Sequence, residues 1–178
     1  MFIFGHIGIS YGILQILKKY SNRYPIIPEI PTDLPIIAFA AMLPDLIDKP
    51  IGEVILADSL ANGRIYGHTL LFCILVLMVS LYVYRRNSDT RILIVPVATF
   101  LHLMEDRIWM TPQTLFWPLM GWEFPDGYQS AGILDYFLSI FRNAYTPEAS
   151  YVFLSEILGI LIMIIAWIRH HKNARKHT

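Results

Sequence analysis

Six side chains that can ligate metal lie at or near the ends of apolar runs: His6, Asp45, Asp48, His68, His102 and Asp106. Asp and His within membrane-spanning sequence are costly and usually mark a site. If the apolar runs cross a bilayer in succession, all six fall at the same face. Neutral imidazole nitrogen and carboxylate oxygen are ligands for a divalent cation. Their convergence predicts a metal centre.

The densest local signal is His102-Leu-Met-Glu-Asp106. A His and an Asp four apart on a helix leave from one face, a turn apart, and can reach one ion. A hydrogen-bonded helix end accounts for the pair equally well when it is taken alone. In Pro44-Asp45-Leu-Ile-Asp48 the proline ends or kinks the preceding helix, and the two acids share a face on the next turn. Helix capping explains one such acid better than two. Asp45, nearer the apolar run, is the ligand candidate; Asp48 orients a ligand, binds a second ion or serves catalysis. His68 opens the next apolar run in Arg64-Ile-Tyr-Gly67-His68-Thr69, where Gly67 leaves room and Arg64 is shaped to hold phosphate. His6 stands beside Gly5 in the first run. His170, His171 and His177 belong to a basic tail and are expected in solvent.

Two imidazoles and two carboxylates (His68, His102, Asp45, Asp106) form a mixed N/O set that suits zinc, with manganese or iron also compatible. His6 with a bridging Asp106 would hold a second ion. Two ions would activate a water and stabilise both oxygens of a phosphoester displacement.

The elements that must position these residues are apolar. Of 178 residues, 55% are hydrophobic and 16% charged, against about 25% charged in an ordinary soluble domain. Mean hydropathy is +0.49. The expected fold is all-α: one membrane-embedded domain over 1–178, with about five apolar helices and an interfacial aromatic cap. The runs are Phe2 to Leu17, Ile36 to Leu46, His68 to Tyr84, Ile92 to Met104 and Tyr151 to Ile168. The second is too short to span alone. Pro25, Pro28, Pro31 and Pro35 mark an extended link after the first. Lys49 to Gly67 reads as loop with a short helix. Trp109 to Ser150 is rich in Trp, Tyr, Phe, Pro and Gly, as suits the headgroup level.

Zero net charge excludes a global electrostatic footprint for nucleic acid, and the lone Cys73 excludes an internal disulfide and CxxC metal motifs. Lys18 and Lys19 follow the first apolar run, so it does not read as a cleavable signal. Ten Lys and Arg lie opposite the site, in the 18–23 and 85–91 regions and the tail from Arg169; Lys49, Arg64, Arg107 and Arg142 lie on its side. The positive-inside rule then places the site on the extracytoplasmic face of the plasma (inner) membrane and the C-terminus in the cytoplasm.

The order His6, then Leu43-Pro44-Asp45-Leu46-Ile47-Asp48, then Arg64 to Thr69, then His102 to Asp106 followed by Trp117-Pro118 resembles the YdjM-like inner-membrane metal-dependent hydrolases. That family is similar, more distantly, to the all-helical zinc-dependent phospholipase C and P1 nuclease group. The resemblance covers residues 1 to 120 and implies ligation by Asp45, His68, His102 and Asp106, with His6 and the Met1 amine near a second ion. Two departures stand out. Gly63 takes the place where relatives often carry a further His, and no later H-x-x-x-H and H-x-x-x-E pair supplies a third zinc site. One or two ions are expected.

The leading expectation is a membrane-bound metal-dependent hydrolase of a phosphoester, lipid or lipid-linked, with Arg64 or Arg107 holding phosphate charge. Trp109, Phe116, Trp117, Trp122 and Tyr128 would anchor at the interface or frame a lipid entrance. The alternative is a non-catalytic membrane scaffold or interaction protein with a structural metal or polar cluster. An ion or proton carrier would distribute ionisable groups through the membrane depth, whereas here they gather at one end.

Overall fold

The computed structural model describes residues 2–24, 30–56, 59–126, 138 and 150–174. Met1, Tyr128, Arg142 and residues 175–178 lie outside the described residues, as does the aromatic segment beyond 126 apart from residues 138 and 150. Every described element is helical. We number the α-helices α1 (Ile3–Arg23), α2 (Leu34–Lys49), α3 (Leu70–Asn87), α4 (Ile94–Glu105), α5 (Pro112–Leu115) and α6 (Ser150–Ala174).

Local chemistry explains the boundaries. Helix α1 stops at Tyr24, which is extended at φ −123° and ψ 97°, as the residue before a proline is pushed to be. Helix α2 has Pro35 in its first turn, where the missing N–H costs nothing. It does not end at Pro44, as the sequence allowed, but runs through it to Lys49 and on into a π-helical stretch, Pro50–Ile55. Pro44 has no N–H to offer the Ala40 carbonyl, and Thr99 Oγ1 donates to that oxygen instead at 3.3 Å. Thr69 caps α3 by accepting the Phe72 N–H at 3.0 Å. Ser88 closes the same helix in the left-handed region, φ 54°.

Two of the five expected runs, Leu70–Asn87 and Tyr151–Arg169, are long and apolar enough to cross a bilayer, and each is only 11% buried within the protein. Leu75, Met78, Val79, Leu158, Leu161 and Trp167 are among their exposed side chains. Apolar surface of this extent requires an apolar surrounding. Helices α2 and α4, at 16 and 12 residues, rise about 24 and 18 Å at 1.5 Å per residue, less than the roughly 30 Å hydrocarbon core. They form the inner wall.

The core mixes alanines with larger aliphatic residues. Leu14, Ile37, Ala40, Ala41, Ile94 and Ala98 join α1, α2 and α4. The alanines let the α2 and α4 backbones approach closely. A second cluster, Cys73, Leu103 and Ile108, joins α3 to the end of α4. Helix α1 lies along α6 with Gly8 against Gly159. At the start of α1, the Phe4 and Gly5 N–H groups donate to the Glu156 carboxylate of α6 at 3.1 and 2.8 Å. A carboxylate there satisfies orphan donors and complements the positive helix end. The starts of α1, α3 and α6 and the ends of α2 and α4 thus meet at one end of the molecule.

A methyl group on Gly159 would overlap the Phe4 and Gly5 backbone, whereas one on Gly12 meets only the Ile162 side chain, at 3.2 Å and beyond. Backbone cannot move aside as a side chain can. Gly159→Ala should destabilise the detergent-solubilised protein by about 1–3 kcal/mol, as overpacking does, and Gly12→Ala by much less. Thermal unfolding followed by circular dichroism checks the pair; equal effects would refute the close α1–α6 contact.

Candidate metal centre

The helix ends bring together His6 from α1, Asp45 and Asp48 from α2, His68 from the segment before α3, and His102 and Asp106 from α4 and its C-cap. All six are buried. Asp45, His68, His102 and Asp106 each offer a ligand atom, and these four atoms lie within 4.8 Å of one another. This group could bind a metal ion.

The tautomers decide what the cluster can do. His102 Nδ1 lies 2.6 Å from the Ala41 carbonyl, which only accepts, so Nδ1 carries the hydrogen and Nε2 keeps a lone pair. Ala41 stands one residue after the carbonyl stripped of its partner by Pro44. Thr99 and His102, three apart on α4, therefore bond the two successive carbonyls Ala40 and Ala41 in the turn before Pro44. His68 Nδ1 lies 2.7 Å from Asp48 Oδ2. Asp48 also accepts from the Ile65, Gly67 and His68 backbone N–H groups at 2.8, 2.7 and 3.1 Å. Asp48 already accepts three backbone N–H bonds and so acts as the acceptor toward His68 Nδ1 as well; in the neutral ring the His68 Nε2 then keeps a lone pair.

The two Nε2 atoms face each other at 3.1 Å. Two lone pairs cannot bond. A cation must lie between them, either a proton on one ring or a metal ion that also reaches the carboxylates. Asp45 Oδ1 is 3.7 Å from both Nε2 atoms, and Asp106 Oδ2 is 3.5 Å from His68 Nε2. Burial would raise the Asp106 carboxyl, but His6, His68 and Arg64 around it outweigh that and hold it well below the usual carboxylate range. It is an anion, as a ligand must be. The donor set suits a divalent ion.

His6 stands beside this group, its ring stacked on His102 at 3.9 Å between centroids. Its Nδ1 is 2.8 Å from Glu105 Oε2. Its Nε2 is 3.3 Å from Asp106 Oδ1 but makes no hydrogen bond, a buried nitrogen left unsatisfied. Glu105 was absent from the residues singled out by spacing. It accepts from Ser10 Oγ at 3.0 Å as well as facing His6, and its position between His102 and Asp106 was the available signal. Two cations complete the centre: Lys49 Nζ is 2.7 Å from Asp45 Oδ2, and Arg64 Nε is 2.9 Å from Asp106 Oδ2. Arg107 lies elsewhere, over the Tyr151 ring at 5.2 Å. Gly67 is required because a Cβ there would come within 2.9 Å of the Pro44 carbonyl and 3.1 Å of Asp48 Oδ1.

Fold and site define an all-helical membrane protein with a buried two-His, two-Asp group that could bind a metal ion. The chain belongs to the YdjM inner membrane protein family, whose family model matches residues 1–173. No curated protein and no solved structure matches it.

Replacing His102 or Asp106 by Ala should abolish stoichiometric metal in the purified protein, read by mass spectrometry. Asp48→Asn keeps the volume but loses the ionised acceptor behind His68, and should weaken metal affinity about 10–100-fold, as loss of a ligand's orienting partner does. Chelator competition measures this. Wild-type affinity in Asp48→Asn would refute its role in orienting His68.

Proposed function

We propose that the protein is a membrane-bound metal-dependent hydrolase of phosphoesters, lipid or lipid-linked. The observation that carries this reading is the pair of buried imidazole Nε2 atoms facing each other at 3.1 Å, grouped with the Asp45 and Asp106 carboxylates. Zinc is the ion such an N/O set favours, with manganese the next choice. Asp45, His68, His102 and Asp106 would hold it, and His6 with Asp106 offers a second position. When bound, such an ion supplies Lewis acidity to a phosphoryl oxygen and makes water a better nucleophile near neutral pH.

The chain's own groups supply the rest. Asp48 and the Ala41 carbonyl keep both Nε2 lone pairs turned inward. Glu105 orients His6. Arg64, 39% exposed in its side chain, reaches from Asp106 toward solvent, where phosphate charge would arrive. An amphiphilic substrate is favoured by what surrounds Tyr66, two residues before His68. Tyr66 packs edge-on against Trp117 and Phe124, and Trp122, Leu119 and Met120 stand exposed nearby in sequence. These aromatics would sit at the headgroup level.

One observation favours the scaffold reading. Four protein ligands would fill a tetrahedral shell, the mark of a structural zinc site, whereas catalytic sites keep a position open. Hydrolysis by the zinc- or manganese-loaded protein separates the two. We expect bis(p-nitrophenyl) phosphate or a short-chain phospholipid to be cleaved, with activity lost in His102→Ala and on chelation. Bound metal with no hydrolysis across mono- and diester substrates would leave the scaffold.

We place the site on the extracytoplasmic face, with α6 ending in the cytoplasm, on the ten-to-four division of Lys and Arg between the two ends. A C-terminal green fluorescent protein fusion should fluoresce and a C-terminal alkaline phosphatase fusion should be inactive. The opposite pattern would invert the topology.

A further inference from the structure

We propose, resting on the metal-centre reading above, that Lys49 and Arg64 together form a receptor for a phosphoryl anion at the open edge of the centre. Lys49 is the new element, a residue that no motif singled out. Its Nζ holds Asp45 Oδ2 at 2.7 Å while Arg64 Nε holds Asp106 Oδ2 at 2.9 Å. The two acids are 6% and 5% exposed in their side chains, the two cations 37% and 39%. An arriving anion meets the cations before it meets the acids.

Both cations keep donors in reserve. An ammonium has three N–H groups and a guanidinium five. Among the described residues, Lys49 Nζ spends itself on Asp45 alone, and the Arg64 side chain is bonded to Asp106 only through Nε. The turn at Asn62 and Gly63, just before Arg64, is held tightly. A Cβ on Gly63 would overlap the Glu53 carboxylate and come within 3.4 Å of Lys49 Cγ. Asn62 steadies the same loop, accepting from Arg64 N at 2.9 Å and donating to the Pro125 carbonyl at 2.7 Å. The Gly63 backbone therefore lies against the Lys49 stem and sets Arg64 at the same rim.

Charge selects the ligand. Among the described residues four acids (Asp45, Asp48, Glu105 and Asp106) and two cations (Lys49 and Arg64) surround the centre, and each divalent ion bound there adds two positive charges that favour an anion. An ion sharing the Asp45 and Asp106 charge loosens their hold on the two cations. Those cations then turn to an oxyanion with several acceptor oxygens, for which a guanidinium fork and an ammonium point charge are complementary tools. The phosphoryl group of a lipid and free phosphate share that chemistry.

The test uses the full-length protein in detergent, with inorganic phosphate as the probe. Zinc is counted by mass spectrometry and phosphate affinity is read by calorimetry, in wild type, Lys49→Ala, Lys49→Arg and Arg64→Ala. We expect zinc to be retained in all, phosphate affinity to fall about tenfold or more in each Ala variant, the loss for a charge-assisted hydrogen bond, and Lys49→Arg to recover most of it. Unchanged phosphate affinity in zinc-retaining Lys49→Ala overturns the receptor. So does joint loss of zinc and phosphate in Lys49→Ala with zinc but not phosphate recovered in Lys49→Arg, because Lys49 then only positions Asp45. Lys49-dependent phosphate binding without zinc in wild type supports the receptor and refutes the metal reading; binding of neither ligand refutes both. Displacement of phosphate by dioctanoyl phosphatidate in preference to glycerol phosphate identifies the lipid as the source, and equal displacement identifies the free anion.

Discussion

Two imidazole nitrogens with their lone pairs turned toward each other, inside a ring of carboxylates, form the constraint on which the rest of the structure depends. The arrangement is unfavourable unless a cation completes it. The protein nonetheless enforces it from behind: the Ala41 carbonyl fixes one ring, and a fully buried Asp48 with three backbone donors fixes the other. Burial removes the water that would otherwise solvate these groups. A divalent ion would replace that solvation with direct ligation, and its charge would offset the acids.

The devices that aim the rings are themselves simple. Pro44 removes one N–H from α2 and thereby leaves the Ala40 carbonyl without its helical donor. Helix α4 uses that gap, with Thr99 and His102 reaching two consecutive carbonyls. Alanines at 40, 41 and 98 bring the backbones close enough for this. Glycine does the same for α1 and α6, where Gly8 meets Gly159 and Glu156 grips the start of α1. His6 is carried into place by that grip. A polar centre is thus positioned by close contacts between small residues, as is common where lipid supplies no hydrophobic drive for helices to associate.

The charge distribution along the helices separates the two ends of the molecule. The candidate ligands gather where α1, α3 and α6 begin and α2 and α4 end, while Lys18, Lys19, Arg85, Arg86 and Arg169 lie toward the far ends of their helices. Between them the outer surfaces of α3 and α6 are apolar and exposed. A site at one end of such a bundle would be accessible to molecules that themselves lie at a membrane surface. This is the physical basis for favouring a lipid-phase substrate.

Helical class and the grouping of Asp45, His68, His102 and Asp106 were legible from residue types and spacing. Local periodicity sets which residues share a face, and an apolar chain cannot hide ionisable groups without a reason. The tertiary structure alone decided how those faces meet. Nothing local links His102 to a carbonyl 61 residues away, His6 to Glu105 across 99, or Gly5 to Glu156 across 151. Lys49 and Glu105 read as ordinary charges beside better candidates until folding set them against Asp45 and His6. Pro44 read as a helix stop or kink because a proline's missing N–H is a local fact, whereas the Thr99 hydroxyl that serves the abandoned carbonyl comes from another helix. Spacing fixes direction along one element; distance between elements comes only from packing.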